Sequence, residues 1–340
     1  MNIRAKIIIV VALLAIGACN EKEPTVIGCD ENKTPIDFGS ISTRALVTSI
    51  NQVNEFGVSC AISNEDNTDY GSIMDNIKVA RSSKSDTGWD YTPKSYWLGD
   101  SHYYFIASYP YLEDGGFQEE EGVIDGVNRV GYSLDIDTKS QQTDILTSSK
   151  YVNTSDSWTT NVVQLQFRHL LTNINFHITQ ANSDIENDYF IQSVSLYGIS
   201  TSGTYSLIPE EDNIIENWVM DAPNNEANAF RRIFNDNTPL KGRTVSVWEQ
   251  EGGLLVLPQR INNRASHIKI DYLYKLKTDE GNSDPVLKSI LVDIPATDQW
   301  VSGNKIKYTL SFANPNTILF RNITVKSWGD AQSAGTIIID

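Results

Sequence analysis

HIKIDYLYKL, residues 267–276, decides the fold. Ile268, Ile270, Tyr272, Tyr274 and Leu276 recur at every second position, with Lys269, Asp271 and Lys275 between them. Successive side chains of a β-strand point to opposite faces, so this period gathers the apolar set on one side. An amphipathic helix would instead repeat its apolar residues at i, i+3, i+4 and i+7. Antiparallel strands with one solvated face give such alternation, whereas buried parallel strands give solid apolar runs.

The same period recurs in both directions along the chain. Phe56, Val58, Cys60 and Ile62 share a face, with Gly57, Ser59 and Ala61 between them. Tyr103, Phe105, Ala107 and Tyr109 repeat the pattern, and Pro110 ends the strand. Leu165 and Phe167 form one set, and Thr172, Ile174, Phe176 and Ile178 another. The phase shifts over 168–171, as a β-bulge would cause. Further strands are expected over 286–294, 306–312, 323–325 and 336–339. Turn clusters separate them at 279–282, 302–304 and 314–316. No stretch carries a long amphipathic helix, although 213–220 reads as a helical turn or two. The expectation is an all-β protein with two β-sandwiches in tandem and no short-period repeat. The polar segment 182–188 marks the expected boundary, dividing 45–183 from 184–340.

The first 45 residues read as an address. Arg4 and Lys6 precede an apolar run over 7–16, and Gly17-Ala18-Cys19 follows. A basic start, a short apolar core and small residues at the cut describe a secretory signal over 1–18. The run is too short to span a bilayer as a mature helix. A Cys directly after the small residues makes this a lipobox, with Cys19 acylated to become the new N-terminus. The expected product is a bacterial envelope lipoprotein held in a membrane by its acyl chains. Residues 19–44 then form a tether. Within it Ser42-Thr43-Arg44-Ala45 offers a lone Arg to an Arg-specific protease, against the plainer reading of a linker.

The chain has 340 residues, 40% hydrophobic and 21% charged, which is a globular composition of roughly two domains. A net charge of −16 argues against a nucleic-acid backbone as partner. Three Cys are present. With Cys19 lipidated, Cys29 and Cys60 could pair in an oxidising envelope, or Cys60 could stay a buried free thiol.

Catalytic chemistry is scarce. His102, His169, His177 and His267 lack zinc-site spacing, and Cys-x-x-Cys is absent. No nucleophile elbow and no phosphate-cradling Gly loop occurs. Acidic clusters at Glu113-Asp114, 119–121 and 210–212 read as solvated faces. A glycosidase would need an opposed carboxylate pair about 5 to 10 Å apart. The expectation is a chain with no enzyme activity, no cofactor and no metal. Trp89 and Trp97, with Tyr91 and Tyr96, could stack on sugars if exposed, or fill a core.

Four stretches then carry a resemblance. They are 96–97 with 102–110 (His-Tyr-Tyr-Phe-Ile-Ala-Ser-Tyr-Pro), 141–147 (Gln-Gln-Thr-Asp-Ile-Leu-Thr), 165–176 (Leu-Gln-Phe-Arg-His-Leu-Leu-Thr-Asn-Ile-Asn-Phe), and 300–310 closing with 323–328. In that order the chain resembles the fimbrillin family, the subunits of protease-assembled pili and related surface lipoproteins. The resemblance implies two transthyretin-like β-sandwiches. It also implies an outer-membrane precursor cut at Arg44-Ala45, whose lost strand leaves a groove for a neighbouring subunit. The partners implied are other fimbrial subunits or further copies of the chain, the outer membrane through lipid on Cys19, and a host or bacterial surface ligand. Residues 335–340 read equally as a donated strand or as the last strand of their own domain. A second reading is a surface glycan-binding lipoprotein using Trp89 and Trp97.

Overall fold

A computed structural model describes residues 34–39, 42–43, 53–328 and 333–338, apart from short internal stretches at 69, 86, 114–115, 125–126, 141, 155–161, 182–185, 263–264, 279–280 and 296–299. Cys19, Cys29, Arg44 and Ala45 lie outside the described residues. The described chain is all-β, in line with the alternation at 267–276. Its regular structure is strands plus two short 3-10 turns, Glu226–Asn228 and Glu249–Glu251.

A seven-stranded sheet organises the first part. Its order is Ser42–Thr43, Gln166–His169, Leu146–Asn153, Ser101–Tyr109, Glu55–Asn64, Tyr70–Arg81 and Trp89–Asp90. Ser101–Tyr109 pairs antiparallel with Glu55–Asn64 on one side and Leu146–Asn153 on the other. Its residues 101–108 are all buried. The alternation in this strand therefore separates two cores rather than a core from water. Phe56, Val58, Cys60, Tyr103, Phe105 and Ala107 face one of them. Ala61, Tyr104 and Ile106 face the other, against a four-stranded sheet of Gln118–Ile124, Val127–Asp137, Ser202–Glu210 and Asn213–Met220. This corrects the expectation of one wet face, and the reason lies in the sequence: Tyr-Tyr-Phe-Ile-Ala is apolar at every position.

The last part is a second sandwich. A six-stranded sheet contains Val245–Ser246, Leu254–Val256, Thr172–Gln180, Asn304–Asn314, Thr317–Ser327 and Ser333–Ile338. It faces a four-stranded sheet of Phe230–Ile233, Asp188–Tyr197, His267–Lys275 and Val286–Asp293. Ile174, Phe176, Tyr189, Val194, Ile268, Ile270, Tyr308 and Leu310 meet between them. Here strand 267–275 keeps the simple in–out pattern that its sequence announces. Thr172–Gln180 and Asn304–Asn314 run parallel, an exception to the expected antiparallel pairing.

Three expectations are corrected. The phase shift at 168–171 is no bulge within one sheet: Gln166–His169 ends in the seven-stranded sheet and Thr172–Gln180 begins in the six-stranded one. The expected boundary at 183/184 falls inside the second core, because Ile178 before it and Tyr189 after it belong to the same cluster. Residues 213–220 form a strand, not a helical turn. Asn213–Met220 pairs antiparallel along Ser202–Glu210, and Ile214, Trp218 and Met220 turn toward the first part.

Candidate functional site

The segment just before the candidate cut is built into the first sandwich. Pro35 bridges to Tyr96. The Ile36 amide donates to the Ser95 carbonyl at 2.9 Å, and the Trp97 amide donates to the Thr34 carbonyl at 3.0 Å. Asp37–Phe38 then pairs in parallel with Val162–Val163, and Ser42–Thr43 with Gln166–Phe167. The Gly39 amide donates to the Val163 carbonyl at 2.9 Å. A Cβ at Gly39 would push on the side chains of Val162 and Gln164, which would have to shift to admit it.

Alternation sends Ile36 and Phe38 inward, at 0% and 1% exposure. The Phe38 ring meets Phe56, Tyr91 and Phe105 edge-on at 6.0, 5.6 and 6.1 Å. Such offset aromatic contacts add to the burial itself. The Tyr91 hydroxyl donates to the Ile36 carbonyl at 2.8 Å. Burial pushes the Tyr91 phenol well up, so it remains a donor across the physiological range. Asp37 faces outward, 3.6 Å from Lys94. Beside the segment lies a cavity of about 260 Å³, lined by Trp97, the 150–152 stretch of Lys150, Tyr151 and Val152, and the 162–164 stretch of Val162, Val163 and Gln164. Chemically this is a strand-binding slot. It presents main-chain partners at Ser95, Trp97 and Val163 and an apolar floor.

Trp89 and Trp97, candidates for sugar stacking, are 4% and 7% exposed. Trp89 packs on Phe56 at 5.1 Å and Trp97 on Tyr103 at 4.7 Å. Both indoles pack into the core next to the slot, and Trp97 also lines the cavity beside it. Cys60 is a buried free thiol, and its burial raises the thiol pKa well above the ordinary value. Its candidate partner Cys29 lies outside the described residues.

The histidines take local partners on separate elements. His169 lies 2.9 Å from Asp144 and stacks flat on Trp328 at 4.0 Å. His177 bonds Ser246 at 3.0 Å, His267 pairs with Asp293 at 2.8 Å, and His102 meets Tyr151. His169 and His177 belong to different sheets. Of the acidic clusters, 119–121 lie on the edge strand Gln118–Ile124 and 210–212 at a hairpin turn. Of the slot-forming residues, Tyr91 is legible in the sequence as a candidate core ring, whereas Val162, Val163 and Gln164 are not. Ile36 and Phe38 alternate about Asp37, a short strand pattern within the tether that could have pointed to the slot.

A family model described as fimbrillin-like matches residues 43–328. No curated protein sequence matches. Among solved structures, a fimbrial protein from Bacteroides vulgatus superposes with a TM-score of 0.52 at 16% identity, covering 85% of this chain and 99% of that one. Two proteins named "putative cell adhesion protein" also match. The one from Bacteroides ovatus has a TM-score of 0.43 at 16% identity over 87% of this chain and 98% of its own. The one from Bacteroides uniformis has 0.41 at 17% identity over 87% and 99%.

Proposed function

The chain belongs to the fimbrillin-like family, and from that premise we propose that it is a fimbrial subunit, structural or accessory, which polymerises by exchanging its N-terminal strand. The observation that carries the reading is the burial of Ile36 and Phe38 in a main-chain-paired slot, a few residues before Arg44-Ala45. Export follows the signal over 1–18, and acylation of Cys19 holds the precursor at the outer membrane. An Arg-specific protease then cuts between Arg44 and Ala45. The bond is broken covalently, but residues 34–43 stay bound by hydrogen bonds and packing until another strand replaces them.

The energetics favour replacement over an empty slot. Each buried Ile or Phe side chain contributes ~1.5–3 kcal/mol, and each net hydrogen bond ~0.5–1.5 kcal/mol. The segment is thus held by on the order of 5–10 kcal/mol. Losing it uncovers Phe56, Tyr91 and Phe105 and unpairs the 162–167 edge. An incoming strand from another subunit restores both by β-augmentation. The partners are therefore other fimbrial subunits or copies of this chain. No catalytic group is required.

The test is the mass and N-terminal sequence of the mature protein recovered from the cell surface. An N-terminus at Ala45, in oligomers that survive heating in detergent, is the expected result. It should be lost in Arg44→Ala. Recovery of acylated Cys19 with residues 20–44 intact would overturn polymerisation and leave a fixed surface lipoprotein.

A further inference from the structure

Charge is divided unevenly along the chain. Residues 34–229 hold 9 Lys and Arg against 28 Asp and Glu, whereas 230–340 hold 14 against 11. Two outward sheet faces concentrate this division.

One is the outer face of the six-stranded sheet. Ile174, Phe176, Ile306 and Tyr308 turn into the second core. Alternation therefore sends Asn175, Lys305, Lys307, Thr324 and Lys326 the other way. Lys305 is the register partner of Lys326 on the neighbouring strand, and Lys307 follows it on the same face. All three are exposed. Like charges directly opposite across a ladder are unfavourable. Lys78, Lys94 and Lys269 each have a carboxylate beside them, but among the described residues Lys305, Lys307 and Lys326 make no ion pair. Lys305 lies over the Trp328 ring, 5.2 Å from its centre. Glu249 stands at the rim, near His177.

The other is the outer face of the four-stranded sheet in the first part. Tyr132, Leu134, Tyr205 and Leu207 turn inward, which leaves Glu120, Ser133, Asp135 and Asp137 outside. Ser133 donates to Glu120 at 2.5 Å, and Thr204 donates to Asp135 at 2.6 Å. These bonds hold the carboxylates on the face without neutralising them, and Glu120, Asp135 and Asp137 are all exposed. The nearby cations are engaged elsewhere: Lys139 donates to the Ala229 carbonyl and Arg129 to the Pro209 carbonyl. Ile215 and Val219, on the edge strand of the same sheet, are 40% and 59% exposed. They alternate with Ile214 and Trp218, which turn inward. The acidic face thus also offers apolar surface.

We propose that these two faces dock on each other between copies, the basic face of one chain seating on the acidic face of the next. The partner is a second copy because each chain carries the complement of its own basic face. Each copy offers one face of each sign, so the contact is heterologous and continues from copy to copy instead of closing as a two-fold dimer. Charge sets approach and orientation, and Ile215 and Val219 supply apolar area to bury. No residue of either face lies in segment 34–43 or pairs with it, so the docking stands independently of strand exchange.

Sedimentation velocity on the mature chain from residue 20 tests it, with Arg44→Ala present to block strand exchange. Association should appear at about 20 mM salt and weaken at least about tenfold by about 300 mM. Lys307→Glu with Lys326→Glu should be monomeric, and so should Glu120→Lys with Asp135→Lys. The second pair brings the negative net charge nearer to zero, so association driven by overall charge would grow in it, whereas docking requires it to vanish. An equimolar mixture of the two variants should associate again, because one has two acidic faces and the other two basic ones. Near-ultraviolet dichroism checks that both fold. Where one does not, zero-length carbodiimide cross-linking of the Arg44→Ala chain decides. It should join Lys305, Lys307 or Lys326 of one copy to Glu120, Asp135 or Asp137 of another. A monomer at low salt, cross-links confined to other residues, or association that survives in either double variant overturns the docking. So does a monomer that captures heparin through Lys307 and Lys326, which would assign the basic face to an anionic glycan.

Discussion

Phe38 is the side chain on which the slot turns. It sits 1% exposed among three rings contributed by separate strands and loops. Truncation leaves a cavity whose walls are held by those strands and cannot collapse. Phe38→Ala should therefore cost about 3–5 kcal/mol in urea unfolding of the uncleaved chain. A cost below about 1 kcal/mol would mean that the segment is a surface strap rather than a core strand. Two glycines make a second test of geometry. Gly198 and Gly242 have φ of +77° and +70°. A Cβ on Gly242 meets open space, whereas one on Gly198 would run into the Ala265 carbonyl. Gly242→Ala should cost about 1–2 kcal/mol, the left-handed penalty alone. Gly198→Ala should cost distinctly more, and equal values in denaturant titrations would contradict the close approach. At this scale the sequence speaks through alternation, which assigns a side chain to a face. It does not say what covers that face. Trp89 and Trp97 illustrate the limit: their aromatic character suits a sugar platform or a core equally, and the burial that decides comes from segments distant in sequence.

Strands were legible as elements, but their partners were not. The alternation from Ile268 to Tyr274 is read correctly because its strand has one buried and one wetter face, whereas Leu276, assigned to the same face, lies beyond the strand and is exposed. Gln166–His169 and Thr172–Gln180 are each strands, as their patterns indicate, yet the shift between them marks a change of sheet. A bulge and a crossover both break the phase, and only long-range pairing tells them apart. Asn213–Met220 was misread because just one face of it packs, and Glu216 and Asn217 dilute the period. The crossover at Leu170-Leu171, both fully buried, carries a testable consequence. Since Thr172–Gln180 lies in the second core, cutting the chain at 182–185 should not release two domains. With a protease site inserted there, the fragments should co-elute on size exclusion in native buffer and separate only in urea. Fragment 1–183 made alone would expose Ile174, Phe176 and Ile178, each ~1.5–3 kcal/mol of lost burial. It should give a collapsed, poorly dispersed spectrum. Clean separation in native buffer would restore the boundary at 183/184.

Across the whole molecule the cores share one chemical habit: their largest fully buried side chains are mostly tyrosines. Tyr103, Tyr104, Tyr132, Tyr189, Tyr205, Tyr272 and Tyr308 are all below 2% exposed. The sequence shows 15 tyrosines, but not which of them the interlocked sheets enclose. Tyr104, Tyr132 and Tyr205 reach a common core only because the 202–220 hairpin returns to the first part. Burial pushes Tyr103 up to about 12, and Tyr104, Tyr132 and Tyr205 are raised further by the same cause. These groups fold as neutral phenols, whereas in the unfolded chain they ionise near pH ~10. Their folded pKa lies above the unfolded one, so their contribution is complete below about pH 10. It is lost as pH rises from there through about 12, where the unfolded state gains charge and the folded state resists it. Urea midpoints should therefore hold steady up to about pH 9 and then fall steeply. Tyrosinate absorbance should come in two stages, exposed rings first and the buried set only together with the loss of native near-ultraviolet dichroism. If every tyrosine ionised smoothly while that dichroism persisted, the sheets would be open enough to admit water and hydroxide. The interlocked packing of the two parts would then be wrong.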